Sequence, residues 1–176
     1  ANLNSSAQIV LSGTRDNVAR AAELAGKAGA KRAVVLNVAG AFHSPLMEPM
    51  LDDFRNIAQQ VTFSKPSFDV ISNVSGTVAG EEILTPVYWC DHIRQAVRFA
   101  DSVKCIAERN PNVYLEVGPK PILTALGRQC APDTARAWLP SLRGRNDDCR
   151  IMYSTLGRLF EQGVPVDWRQ VDNSTA

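Results

Sequence analysis

The stretch NVAGAFHSPLMEPML, Asn37–Leu51, decides how this chain reads. It begins at the end of an apolar run, Arg32–Val38 (RAVVLNV), whose composition is that of a strand. Ser44 and Pro45 are helix-start residues, one as N-cap and the other at the first helical position. Met47, Met50, Leu51, Phe54, Ile57 and Ala58 then recur at three- to four-residue intervals, which predicts one buried helix face from Pro45 to about Gln60. His43 therefore lies at a strand-to-helix junction, just before the helix N-terminus. The positive end of a helix disfavours an imidazolium, so the position predicts a neutral histidine able to accept a proton near about pH 7. A histidine that only packs in a loop fits the same position, and position alone leaves both readings open.

Upstream, Ala1–Ala7 is polar and Gln8–Ser12 reads as a strand. Gly13 turns the chain, and Thr14 or Asp16 caps a helix to about Lys27 with Val18, Ala21, Ala22 and Ala25 on one face. Gly29 stops it, and Lys31–Val38 completes a β-α-β unit. Downstream, Phe68–Asn73 reads as a strand ended by Ser75-Gly76, and Pro86–Ile93 and Ala96–Arg109 as helices. Asn112–Val117 (NVYLEV) is short and largely apolar, the pattern of a parallel strand covered on both faces. A helix over Pro121–Gln129, a brief strand over Ala137–Leu139, a polar loop over Ser141–Asp148 and a helix over Asp148–Gln162 follow. Gly163 ends that helix, and the tail is expected to fray after Trp168.

The 176 residues suffice for one domain with a real core. An apolar fraction of 45%, a charged fraction of 21% and a net charge of +1 give no electrostatic reason to bind nucleic acid or an anionic membrane. No run of about 18 apolar residues could span a bilayer. Cys90, Cys105, Cys130 and Cys149 form no C-x-x-C pair, and with 2 histidines in the chain they argue against a zinc site. Free thiols in a reducing cytoplasm are the expectation. A histidine base needs a group to deprotonate, yet the chain holds no G-x-S-x-G elbow: Gly76 and Gly80 have the spacing, but Val78 lies at their centre. Dinucleotide and P-loop glycine patterns are absent too. Glu81-Glu82 and Asp147-Asp148 read as solvated turns or caps, and Lys120 as a surface lysine.

Read together, the segments resemble one family. GAFHSPLMEPML at Gly40–Leu51 resembles the active-site histidine segment of the malonyl-CoA:acyl carrier protein acyltransferases. SNVSG at Ser72–Gly76, YWCDHIRQAVRFADSV at Tyr88–Val103 and LEVGPKPIL at Leu115–Leu123 are similar to later segments of that family, in the same order. WLPSLRGRNDD at Trp138–Asp148 and LFEQGVPVDW at Leu159–Trp168 resemble the linker that follows the acyltransferase domain in modular type I polyketide synthases.

The resemblance implies an α/β fold: part of an α/β-hydrolase-like large subdomain plus part of a ferredoxin-like small subdomain, then a post-acyltransferase linker. It places residues 1–39 in the small subdomain, 40–135 in the C-terminal part of the large one and 136–176 in the linker. The family's nucleophilic serine, its oxyanion loop and its carboxylate-binding arginine would lie in a part of the domain upstream of this chain, which alone would then be inactive. His43 matches the family's general base. A main-chain carbonyl orients that imidazole in the family, and the match puts it at or beside His92, so the His92 backbone rather than its ring is expected to matter. Gly40, Ala41 and Phe42 match the extender-unit fingerprint. The A-F-H ending resembles malonyl-selective members, while Gly40 departs from the histidine common there in polyketide synthases and looks more like stand-alone transacylases. Ala96 replaces a usual proline and Lys120 a common histidine. Asn4 matches an asparagine near the substrate cavity.

By the same resemblance no metal or cofactor is bound. Malonyl-CoA is the substrate, and phosphopantetheine on an acyl carrier protein is the acceptor. The further partners are a ketosynthase domain through the linker and the N-terminal half of the acyltransferase. Nucleic acid and membrane are not among them, and the compartment is cytoplasmic. An interdomain scaffold or carrier-docking piece without activity, and a stand-alone malonyl-CoA transacylase of fatty acid synthesis, are the alternatives.

Overall fold

The computed structural model describes residues 1–38, 40–134, 137–144 and 147–173. They form a mixed α/β arrangement of two compact units, 1–105 and 106–176. In the first unit, β1 (Asn2–Ser5) pairs antiparallel with β2 (Gln8–Val10). β1 falls in the segment read from sequence only as polar: its NLNS composition hides a strand that pairing makes. On its other side Leu3 N–H donates to the Val97 carbonyl at 2.8 Å and Val97 N–H to the Ala1 carbonyl at 2.7 Å. Helix α1 (Arg15–Lys27) is capped by Thr14, whose hydroxyl accepts from Asn17 N–H. Its predicted face of Val18, Ala21, Ala22 and Ala25 is the half-buried one.

Three expectations in this unit fail. Residues 31–38 form no strand, and Val34, Val35, Leu36 and Val38 stand 55–72% exposed. A strand needs a ladder partner, and no described strand lies alongside this run. Phe68–Asn73 makes only the single Ile71–Val78 bridge of a tight loop, in which Ser72 N–H reaches the Thr77 carbonyl. The helix expected over Pro45–Gln60 divides into a 3-10 segment, Pro45–Met50, and α2 (Leu51–Ala58). Pro49 lies inside the 3-10 segment and has no N–H to give an α-helical bond. Ser44 caps this segment as predicted, its hydroxyl accepting from Leu46 N–H, with Pro45 at the first position.

Helix α3 (Pro86–Arg94) starts the same way, with Thr85 as cap and Pro86 at its first position. Ser72, 1% exposed, links the SNVSG turn to it through a 3.0 Å contact with the Tyr88 hydroxyl. Gly76 in that turn has φ 76°, and a Cβ there would lie 2.6 Å from Asp101 Cβ on α4 (Phe99–Ala107), so only glycine fits.

In the second unit β3 (Val113–Glu116) pairs parallel with β4 (Ala137–Pro140), as the apolar composition predicts. Coverage on both faces is not found for β3, since Leu115 and the following Val117 are exposed. β4 is buried throughout. Ala137 and Leu139 pack with Leu159 of α6 (Asp148–Glu161), beside Val113 and Leu156. On α5 (Leu123–Cys130) a Cβ at Gly127 would lie 2.3 Å from the Trp138 ring, so the missing side chain makes room for that ring, which stacks on Tyr114 at 3.8 Å. Gly163 ends α6 with φ 84°. The tail does not fray at Trp168, because Trp168–Asn173 forms α7. Arg145 and Asn146 of the predicted polar loop, and the last three residues of the tail, lie outside the described residues.

Candidate active site

His43 is held by the end of α3. Its backbone N–H donates to the Ile93 carbonyl at 2.9 Å, and its Nδ1 lies 2.7 Å from the Gln95 carbonyl oxygen. A carbonyl can only accept, so Nδ1 carries the proton and Nε2 presents its lone pair. The residue adopts φ 60°, a left-handed conformation rare outside glycine. One main-chain and one ring bond, both to carbonyls at the end of α3, hold it there, and backbone strain of this sort costs about 1–3 kcal/mol.

The orienting carbonyl is therefore that of Gln95, not His92 as the resemblance placed it. The reason is local. Helix α3 stops at Arg94, and Gln95 turns to φ −84°, ψ 162°, which frees its carbonyl from the helix. His92 is still in the last turn. The electrostatic expectation changes as well. His43 precedes a 3-10 segment rather than a full α-helix, and its ring bond goes to the C-terminal end of α3. That end carries partial negative charge.

The His92 ring is also at the site. It lies edge-on to His43, with centroids 6.2 Å apart and planes at 75°. Its Nε2 is 3.2 Å from the Asn73 amide nitrogen, and Tyr88 and Trp89 flank it at 6.1 and 5.8 Å. Burial, then the charge of His43, push its pKa below the ordinary histidine value. Arg94 Nε donates to Glu48 Oε1 at 2.8 Å and ties the 3-10 segment to α3.

Phe42 is 51% exposed beside His43, and a Cβ on Gly40 would approach its ring to 3.3 Å. The Ala41 carbonyl accepts from the Ser44 hydroxyl at 2.7 Å. Asn4 is 8% exposed on β1, the strand that docks along Val97 just past Gln95. Gln95 and Asn73 are the site residues that sequence reading passes over. A main-chain carbonyl has no signature of its own, and Asn73 announces itself only as part of the SNVSG motif.

A base with a fixed tautomer, beside a small apolar segment, suits removal of a proton from a hydroxyl or thiol. Comparison with known proteins narrows this. The family described as "Acyl transferase domain" matches residues 1–158. This chain belongs to that family. Polyketide synthase GfsA of Streptomyces halstedii is 40% identical over 171 residues, which is 96% of this chain and 2% of the synthase. The crystal structure of the acyltransferase domain from the second module of the salinomycin polyketide synthase superposes with a TM-score of 0.89 at 38% identity. It is covered over 39% of its length, against 96% of this chain. A malonyl-transacylase solved in complex with its type II polyketide-synthase acyl-carrier protein is 28% identical, with a TM-score of 0.77 over 89% of this chain and 49% of that one. The acyltransferase chain thus spans well under half of the salinomycin domain. Among the described residues no helix is long and apolar enough to cross a membrane.

Proposed function

We propose that the chain supplies the base half of a Ser-His acyltransferase that loads malonyl units from coenzyme A onto an acyl carrier protein. The observation that carries this is the 2.7 Å bond from His43 Nδ1 to the Gln95 carbonyl, which leaves Nε2 as a base. In the first half-reaction His43 Nε2 takes the proton of a serine hydroxyl, the serine oxygen attacks the malonyl thioester carbonyl, and the coenzyme A thiolate leaves with that proton. In the second, Nε2 takes the proton of the phosphopantetheine thiol. The thiolate then attacks the acyl ester, and the serine recovers the proton. The imidazolium formed in each half is stabilised by the α3 C-terminus.

The serine belongs, on this reading, to the remainder of the acyltransferase domain, which is also the chain's principal partner. The exposed run from Val34 to Val38 supports that partner, since such a contiguous apolar face is normally covered. Residues 1–39 then belong to a ferredoxin-like subdomain, 40–135 to the hydrolase-like one and 136–176 to a linker towards a ketosynthase, all in the cytoplasm and with no resident cofactor or metal. Gly40, Ala41 and Phe42 line the extender-unit site and Asn4 stands near it. Phe42 disfavours a branched α-carbon, a preference worth about 1–3 kcal/mol per methyl.

The test is transfer of labelled malonyl by this chain joined to the rest of an acyltransferase domain. His43→Ala should lower the rate by about 10²–10⁴-fold. Unchanged transfer in that variant would refute the base assignment.

A further inference from the structure

The chain has 2 histidines, and the fold brings both into one site. We propose that Asn73 and His92 are a positioning pair for His43: the Asn73 amide holds His92 in its neutral Nδ1–H tautomer, and that ring keeps the site's one positive charge on His43. This deepens the reading of His43 as the base and rests on it.

The argument is one of donors and acceptors. The Asn73 side-chain nitrogen can only donate, so the His92 Nε2 it faces at 3.2 Å is an unprotonated acceptor. Protonating that nitrogen would set two donors against each other. The Asn73 main chain is itself fixed, its backbone carbonyl accepting from Arg98 N–H at 2.9 Å. Ser72, its neighbour, holds the Tyr88 hydroxyl at 3.0 Å, and Tyr88 and Trp89 wall the His92 ring. The charged groups on the packed elements are mostly committed elsewhere. Arg94 on α3 pairs with Glu48 of the 3-10 segment, and Arg98 pairs with Asp101 on α4. Lys104 on α4 reaches Asp101 at 4.0 Å, and Arg55 pairs with Asp52 on α2. Glu82 of the 3-10 turn Glu81–Leu84 accepts from Gly80 N–H. Asp91 on α3, Asp53 on α2 and Glu81 are the other charged groups of the elements packed on α3. Burial, and next His43, are what lower the pKa of His92. The donor facing Nε2, the burial of the ring and a charge on His43 therefore all resist a proton on His92.

The test is a nitrogen-15 NMR titration of the full chain, whose two imidazoles give separable signals. In the unsubstituted protein His92 is expected as the Nδ1–H tautomer, neutral through the range in which His43 protonates. Asn73→Asp puts a carboxylate against His92 Nε2; His92 should then protonate first and the His43 midpoint should fall. His92→Gln in the Asn73→Asp background should bring the His43 midpoint back to, or above, its unsubstituted value, since the carboxylate then stands without a cation. An Nε2–H tautomer of His92 in the unsubstituted protein, or joint protonation of the two rings, would overturn the proposal, and neither reading depends on a variant folding. A His43 midpoint unmoved by Asn73→Asp would overturn it too. Because the titration reads no acyl transfer, a failed transfer assay with this behaviour intact would count only against the base assignment.

Discussion

Two runs of similar apolar composition have opposite fates. Val34–Val38 (VVLNV) joins no strand among the described residues and is mostly exposed, while Ala137–Pro140 (AWLP) is a strand buried along its whole length. Composition does not separate them; neighbours do. β4 has a parallel partner in β3, with Val113 opposite Ala137 and Leu115 opposite Leu139. It also has α6 above it, where the Thr155 hydroxyl donates to the Pro140 carbonyl at 2.7 Å. Among the described residues the 34–38 run has no ladder, and its side chains stay exposed. β-propensity measures fit to a half-buried pleated surface, and without that surface it is silent.

The largest effect is expected where the neighbours are densest. Leu139 is 1% exposed in the cluster with Ala137 and Leu159. Leu139→Ala removes its burial and leaves a cavity, a cost of about 2–5 kcal/mol. A denaturant titration followed by tryptophan fluorescence, with Trp89 and Trp168 replaced by Phe so that Trp138 reports alone, should show the loss as an earlier midpoint. A shift within error would mean that β4 is not the centre of its unit.

The next effect concerns how β3 is anchored, a device the 34–38 run lacks. Glu116 ends β3 and accepts three main-chain N–H groups at the start of α5: Oε1 from Ile122 and Leu123 at 3.0 and 2.9 Å, and Oε2 from Thr124 at 2.8 Å. Burial alone would raise its pKa, but the amides of Leu123, Thr124 and Ile122 outweigh this and bring it below the ordinary value of 4.5. A folded-state pKa below the unfolded one means the stabilisation is fully present above about pH 4.5. It is lost as the pH falls through the lower folded value. Glu116→Gln should cost about 1 kcal/mol at neutral pH, the scale of a helix N-cap, and should flatten the acid limb of stability against pH. An unchanged acid limb would refute the anchoring role.

The same contrast explains what the sequence made legible. Ser44-Pro45 marks a helix start because capping is local chemistry, and Ser44 caps as read. The apolar run of Asn112–Val117 was legible as a parallel strand, though neither its partner nor its one open face was. β1 was not, because its NLNS sequence pairs only through what lies beside it. At the site, His43 was legible through the motif around it. Gln95 was not, because its contribution is a carbonyl released where α3 happens to stop, and no residue type marks that stop when Ala96 stands in place of a proline. Helix ends written in side chains can be read; those set by packing cannot.

The smallest effect is the most discriminating. Val35 is 72% exposed, so Val35→Ser in this chain should change stability by no more than about 0.5 kcal/mol, as surface substitutions do. If the rest of an acyltransferase domain covers the run, the same substitution in the joined domain removes a buried side chain and should cost about 1.5–3 kcal/mol. Thermal melts of the two forms, each with valine and with serine at this position, give the difference directly. Equal small shifts in both would mean that the run stays bare in the whole domain, and the contrast with β4 would then be a property of the sequence rather than of a missing neighbour. A large shift already present in this chain would mean that the run is buried here and that the contrast is false.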